Sequence, residues 1–191
     1  MDAVHLLIPL KRLDDAKSRL AAVLSGAERS TLMQELLEGV LAAAEEADLG
    51  PITVVSAEPS LPDGVARFDD RGLAWNDALA AAMREVVTEP VAAVVSADLP
   101  RLTAEDIEAL VAATPDRGLA IARALDGGTN AVSMRPPGVV MTHFGEPQSA
   151  AVHAQATAAA GLAARLIDVP GLAFDVDTPA DLAALREAAR R

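Results

Sequence analysis

The sequence predicts a single α/β domain over residues 1–191, built on a doubly wound, mostly parallel sheet with one antiparallel segment. Three observations carry this expectation. Apolar runs such as HLLIPL (5–10), ITVVSA (52–57) and VAAVVS (91–96), the last two rich in β-branched residues, alternate with stretches of helical periodicity. Runs that are apolar on consecutive positions fit strands buried on both faces of a parallel sheet. A length of 191 residues suits one domain with a substantial core, and no Ser/Gly linker, repeat or block of like charge divides it.

The elements follow in order. HLLIPL is the first strand, and a helical stretch is expected over about 15–24. Ser25 and Glu28 have capping-box spacing ahead of a long helix, with Leu32, Leu36, Val40 and Ala43 along one side. ITVVSA is the second strand and VARF (65–68) a short third, followed by a helix over about 74–87. The run at 91–96 ends at Asp98-Leu99-Pro100, and Thr103 with Asp106 caps the next helix. LAIARA (119–124) and AVSMRP (131–136) flank Asp126-Gly127-Gly128-Thr129, a hairpin signal. Residues 148–160 read as a helix and LAFDV (172–176) as a last strand. Thr178-Pro179 then opens the final helix, with Pro179 at its first position and Asp181 at its third.

Composition excludes several functions. The net charge is −12 and the aromatics are three Phe and one Trp, so neither a basic face for phosphodiester backbone nor platforms for stacking bases are available. No cysteine occurs, which removes disulfides, thiolate nucleophiles and zinc–thiolate sites. The start, MDAVHLLIPLKR, reads as a first strand and not a signal peptide, and no apolar segment reaches membrane-spanning length. A cytoplasmic location is the expectation; a homodimer is left open.

Five constellations could carry chemistry. Asp98 sits at the carboxyl end of a buried strand, where open α/β sheets place their ligand crevice; bracing the next turn is the competing role. FDVDTPADL (174–182) brings Asp175 and Asp177 to a second such end. Carboxylates from neighbouring strand ends suit Mg²⁺ when it also holds phosphates, although one of the pair could instead serve the helix start at Thr178. In PLKRLDDAKSRL (9–20), Lys11, Arg12, Lys17 and Arg19 place four of the sixteen basic residues within nine positions. No glycine precedes Gly26, so long basic side chains stand where nucleotide-binding folds use a glycine-rich loop. The Gly127-Gly128-Thr129-Asn130 turn and HFGEPQSAAVH (143–153) could present donors to an anion, with Gly145 and Ser149 entering a helix and His153 one turn on. Asn76 is a candidate base or ribose contact beside Trp75, which is expected in the core. His5 and His143 are expected to pack and not to bind, since nothing acidic stands close to them in sequence.

Together, IPLKxxxxAKSRL, SADLPRLT, the GGTN turn, the Phe-Gly…Ser…His stretch and FDVDTPADL resemble the CofC/FbiD family of phospholactate or phosphoenolpyruvate guanylyltransferases. That family has the MobA-like nucleotide-diphospho-sugar transferase fold and serves biosynthesis of the deazaflavin coenzyme F-420. The resemblance implies that Asp98, Asp175 and Asp177 hold Mg²⁺, that Thr129, Gly145 and Ser149 hold the small acid's phosphate, and that Lys11, Lys17 and Arg19 face the phosphates of GTP. It makes Asp98, Lys17 and Arg19 the catalytic set and GTP with a small phosphorylated carboxylic acid the partners. One residue more than the family's usual spacing separates Gly145 from Ser149. The alternatives are another MobA-like or sugar nucleotidyltransferase, or a GTP-binding module without turnover. The choice among 2-phospholactate, phosphoenolpyruvate and 3-phosphoglycerate stays open.

Overall fold

Seven strands form one sheet in the order β3-β2-β1-β4-β6-β5-β7. The computed structural model describes residues 2–190. The strands are β1 (Val4–Pro9), β2 (Ile52–Val55), β3 (Ala66–Phe68), β4 (Val91–Val95), β5 (Gly118–Arg123), β6 (Thr129–Arg135) and β7 (Ala163–Ile167). All neighbours run parallel except at β6, which is antiparallel to both β4 and β5. The central strands β1 and β4 are buried at every position, as expected of continuous apolar runs covered on both sides.

The helices are α1 (Gly26–Ala47), α2 (Trp75–Glu85), α3 (Ala104–Ala112), α4 (Ser149–Ala159), α5 (Pro170–Ala173) and α6 (Pro179–Ala188). One face of the sheet packs α1, α3, α5 and α6 through residues such as Leu36, Val40, Leu110, Leu172 and Leu182. The other packs α2 and α4 through Leu79, Ala82 and Ala150. Capping boxes form at Ser25–Glu28, Thr103–Asp106 and Thr178–Asp181, each satisfying orphan N–H groups at a helix start. None of the described helices is long and apolar enough to cross a membrane.

Three sequence expectations are corrected. Residues 172–176 are not a strand: Pro170 starts the short helix α5, which buries Leu172 completely, and the chain then runs on without a sheet partner. The seventh strand is β7, an edge strand beside β5 whose first four residues are exposed, so it shows no apolar run. The stretch at 15–24 is not an α-helix but two 3₁₀ turns, Leu13–Asp15 and Ser18–Leu20, separated by Lys17 in a left-handed conformation (φ 53°, ψ 38°).

Candidate active site

A cavity of about 440 Å³ opens beyond the carboxyl ends of β1 and β4 and the start of β6. One wall is ionic. The loop after β1 is pinned by buried Glu58, which accepts from the Leu13 backbone N–H at 3.0 Å and from Ser60 N–H at 3.2 Å. That anchorage and the left-handed turn at Lys17 aim its side chain inward. A positive φ at a non-glycine residue costs on the order of 1 kcal/mol and persists where surrounding contacts hold it. Here the contacts are ionic: Lys17 Nζ donates to Asp98 Oδ2 and, at 2.9 Å, to Asp177 Oδ1. Only 4% of the Lys17 side chain is exposed. Burial works against its charge, but Asp98 and Asp177 outweigh it and raise the ammonium pKa above its ordinary value.

Arg19 extends this wall outward, donating from Nη1 to Asp177 Oδ2 at 3.2 Å with most of its side chain in solvent. Lys11 lies 5.1 Å from the centre of the Trp75 ring. Trp75 is partly buried: it packs against the core on the α2 side of the sheet and also lines the cavity, where its buried Nε1 has no hydrogen-bond partner among the described residues.

Asp98, Asp175 and Asp177 come together, each with a carboxylate oxygen within 4.8 Å of the others. The helix start does not consume either of the latter pair, because Thr178 and Asp181 cap α6 between themselves. Asp175 differs from its neighbours in having no cationic partner among the described residues: it accepts from Asn130 Nδ2 at 3.3 Å. Burial first, then the charge of Asp98, pushes its carboxyl up to about 6, against the Asn130 hydrogen bond. Three oxygen donors at this spacing, one of them short of positive charge, can hold a hard divalent cation.

A second stretch of the lining carries hydroxyl groups, with the carboxylates of Asp126 and Glu146 in the same part of the cavity. Ser149 Oγ lies 3.0 Å from Thr129 Oγ1, and both residues line the cavity although each is more than nine-tenths buried. With the longer spacing after Gly145, and with Gly145 (φ 79°) and Gln148 (φ 54°) both left-handed, Ser149 reaches Thr129. His153, one turn along α4, touches both, and its imidazole is depressed to about 4, chiefly by burial.

Asn76 does not join the candidate site. Its side-chain amide donates to Phe144 O at 3.1 Å and accepts from Phe144 N–H at 2.9 Å, clamping α2 to the loop that carries Gly145, and it is not among the cavity-lining residues. His5 and His143 also depart from the expectation that nothing acidic stands near them: His5 meets Glu89 at 3.0 Å, and His143 meets Glu146, three residues on, at 2.9 Å. Sequence reasoning missed Asn130 as the partner of Asp175 and Glu58 as the anchor of the basic loop. Asn130 stood out only as part of the Gly-Gly-Thr-Asn turn, its pairing with Asp175 spans 45 residues, and nothing in the local sequence marks Glu58.

The family model "Guanylyl transferase CofC like" matches residues 4–186. A phosphoenolpyruvate guanylyltransferase of Sphaerobacter thermophilus is 42% identical over 185 residues, spanning 92% of this chain and 89% of that protein. A 2-phospho-L-lactate guanylyltransferase of Haloarcula marismortui is 37% identical over 169 residues, spanning 87% of this chain and 78% of that one. Among solved structures, a Desulfovibrio desulfuricans G20 protein described as a nucleotide-diphospho-sugar transferase superposes with a TM-score of 0.80. It covers 100% of this chain and 89% of its own, at an identity of 18% that speaks for the fold alone. With nearly the whole chain matched in sequence and in architecture, the protein is a guanylyltransferase of the CofC family.

Proposed function

We propose that this enzyme moves GMP from GTP onto the phosphate of phosphoenolpyruvate or 2-phospho-L-lactate, releasing pyrophosphate, as a step toward the deazaflavin coenzyme F-420. The observation that supports it best is that one cavity is lined both by an ionic cluster (Asp98, Asp175, Asp177, Lys17, Arg19) and by a pair of buried hydroxyls (Thr129, Ser149). Two anionic substrates need two different receptors, one that neutralises a triphosphate and one that orients a smaller anion.

In the reaction, an oxygen of the acid's phosphate forms a bond to the α-phosphorus of GTP. The bond from that phosphorus to the bridging oxygen breaks, and pyrophosphate leaves with the electron pair. The attacking oxygen is already ionised near neutral pH, so no general base is required. Catalysis then rests on holding two repelling anions in line and on offsetting the charge that gathers on the leaving group. Lys17 and Arg19 face the triphosphate, and Lys11 lies beside Trp75 farther along the same wall. Thr129, Ser149 and the backbone at Gly145 orient the acid. Asp98, Asp175 and Asp177 would hold Mg²⁺, which when bound neutralises phosphate oxygens and the departing pyrophosphate.

The name of the 42%-identical relative favours phosphoenolpyruvate as the first acid to try. The test is pyrophosphate release with GTP, ATP or CTP, each paired with phosphoenolpyruvate, 2-phospho-L-lactate or 3-phosphoglycerate. Release confined to GTP with one of the first two acids is expected. Faster release with 3-phosphoglycerate or with another nucleotide would overturn the substrate assignment.

A further inference from the structure

His153 is completely buried on α4, yet it is wired to three separate parts of the chain. The backbone N–H of His143 donates to His153 Nε2 at 2.8 Å. A backbone N–H can only donate, so Nε2 carries no hydrogen. Nδ1 lies 2.8 Å from the carbonyl oxygen of Ser149 and 3.1 Å from Thr129 Oγ1. A bare Nδ1 there would set its lone pair against that carbonyl, so the single hydrogen of the neutral ring sits on Nδ1. The ring cannot turn over freely, because Phe144 and His143 stand edge-on to it at 5.4 and 5.5 Å between centroids.

This tautomer has a consequence for the hydroxyl wall. Thr129 Oγ1 faces an N–H and therefore acts as an acceptor on that side. The Thr129 and Ser149 hydroxyls own two hydrogens between them, and the 3.0 Å contact between their oxygens uses one. The other is left for the cavity that both residues line. With the opposite tautomer, Nδ1 would draw one of these hydrogens inward and leave a lone pair facing the cavity.

We infer that His153 is a positioning residue of the acid subsite: its fixed tautomer makes the Thr129–Ser149 pair present a hydroxyl hydrogen to the anion bound there. The inference rests on reading that wall as the acid subsite. Burial holds the imidazole neutral down to about 4, so the pattern of hydrogens stays the same across the neutral range.

Two substitutions separate the ring's two nitrogens. His153→Asn keeps an amide N–H near the Nδ1 position, whereas His153→Gln keeps an acceptor near the Nε2 position and loses the Nδ1 donor. A donor lost from an anion-orienting chain raises the KM for phosphoenolpyruvate about tenfold in the Gln variant. The Asn variant should stay within about threefold of the parent, and the KM for GTP should be unchanged in both. Long-range ¹H–¹⁵N NMR of the folded parent should place the His153 hydrogen on Nδ1. A hydrogen on Nε2, a folded Gln variant with the parental acid KM, or an Asn variant as impaired as the Gln variant would overturn the inference. If the Asn variant does not fold, the Gln variant and the NMR assignment decide. Thr129→Val tests the underlying reading separately: an unchanged acid KM there would mean that this wall is not the acid subsite, whatever His153 does.

Discussion

Lys17→Met is the most informative single change, because it removes the internal cation from the centre of the carboxylate cluster while keeping the length of the buried stem. Taking one partner from a buried ion pair costs about 3–5 kcal/mol when the remaining charge is sealed from water. Here Lys17 is 4% exposed, but the Asp98 and Asp177 side chains are 21% and 42% exposed. Solvent therefore screens part of the loss, and about 2–3 kcal/mol is expected in metal-free protein. For a domain of this size, that corresponds to a fall in Tm of roughly 4–12 °C in EDTA. Mg²⁺ should reverse the ranking of effects. In the parent, a cation entering among Asp98, Asp175 and Asp177 meets a site already partly neutralised by Lys17; in the variant it meets uncompensated carboxylates. The rise in Tm on adding Mg²⁺ should thus be larger in Lys17→Met than in the parent. Turnover should fall roughly tenfold to a hundredfold, the worth of one charge-assisted contact to phosphate. The assay is thermal unfolding in EDTA and in excess Mg²⁺, beside pyrophosphate release. A variant that melts with the parent in EDTA, or gains no more from Mg²⁺ than the parent does, would refute the view of Lys17 as a counter-cation at the metal position.

Three further outcomes are expected. Arg19→Ala should raise the apparent GTP constant about tenfold in steady-state assays, with little change in Tm, since an exposed ion pair such as Arg19–Asp177 is worth about 1 kcal/mol or less. Asn76→Ala should cost about 1–2 kcal/mol by deleting both hydrogen bonds to Phe144 and should raise the KM of the acid more than that of GTP, because the freed loop carries Gly145; equal changes in both constants would count against the clamp. The third outcome concerns acid stability. His153 falls from 6.5 to about 4 on folding, mainly through burial, with the hydrogen bond to the Ser149 carbonyl opposing the fall, His143 adding to it and Glu146 opposing it. The unfolded chain therefore binds the extra proton, so this contribution is complete above 6.5 and is lost as pH drops toward 4. At pH 5 the loss is about 2 kcal/mol. Asp175, raised to about 6 by burial and Asp98, acts in the opposite sense over an overlapping window, but it is common to parent and variant. Urea unfolding at pH 7.5 and pH 5 should therefore show the parent losing about 2 kcal/mol more than His153→Gln; equal losses would show that the imidazole is not held neutral.

The fold was legible where local signals and tertiary demand agreed. The runs at 5–10 and 91–96 are buried on both sides, so their positions had to be apolar or small except at His5, whose ring is paired with Glu89 and Thr53, and the capping boxes mark helix starts by local hydrogen bonding alone. The failures have the same logic in reverse. Strand β7 is an exposed edge held by parallel pairing with β5, and Gly118 brings the two backbones close; neither fact leaves an apolar period in Ala163-Ala164-Arg165. LAFDV looks like a strand because Leu172 and Val176 are both buried, but Pro170 turns the first of them into a helical turn. In the candidate site, Asp98 and Lys17 were visible as a strand-end carboxylate and a local excess of charge. Their direct contact spans 81 residues of sequence and was not visible. Asn76 misled because an amide at a helix start reads the same whether it meets a base or a backbone, and only the structure reveals Phe144.

The site's two-walled character follows from the reversal at β6. Asp98 lies three residues beyond β4, at its carboxyl end. Because β6 runs antiparallel to β4, with Val95 opposite Ala131, it is the beginning of β6, not its end, that lies beside Asp98. Ser96 N–H donates to Asn130 O at 2.9 Å and carries the pairing past the last ladder residue. Thr129 and Asn130 are thereby delivered to the crevice by a strand that starts there, and Asn130 reaches on to Asp175. Had β6 been parallel, its far end at Arg135 would occupy this place, and a guanidinium would stand where the structure has a hydroxyl and an amide. Thr129 sits in β6 and not on a loose loop, so its hydroxyl is fixed by sheet register before any ligand arrives. Ser149 is then brought to it by the first turn of α4, and His153 by the second. The two hydroxyls are thus preset by strand register and by the helix start, and the carboxylates of Asp126 and Glu146 line the cavity with them. The chain's local excess of positive charge, at residues 11–19, meets the cavity on the side of the Asp98 and Asp177 carboxylates, through Lys17 and Arg19.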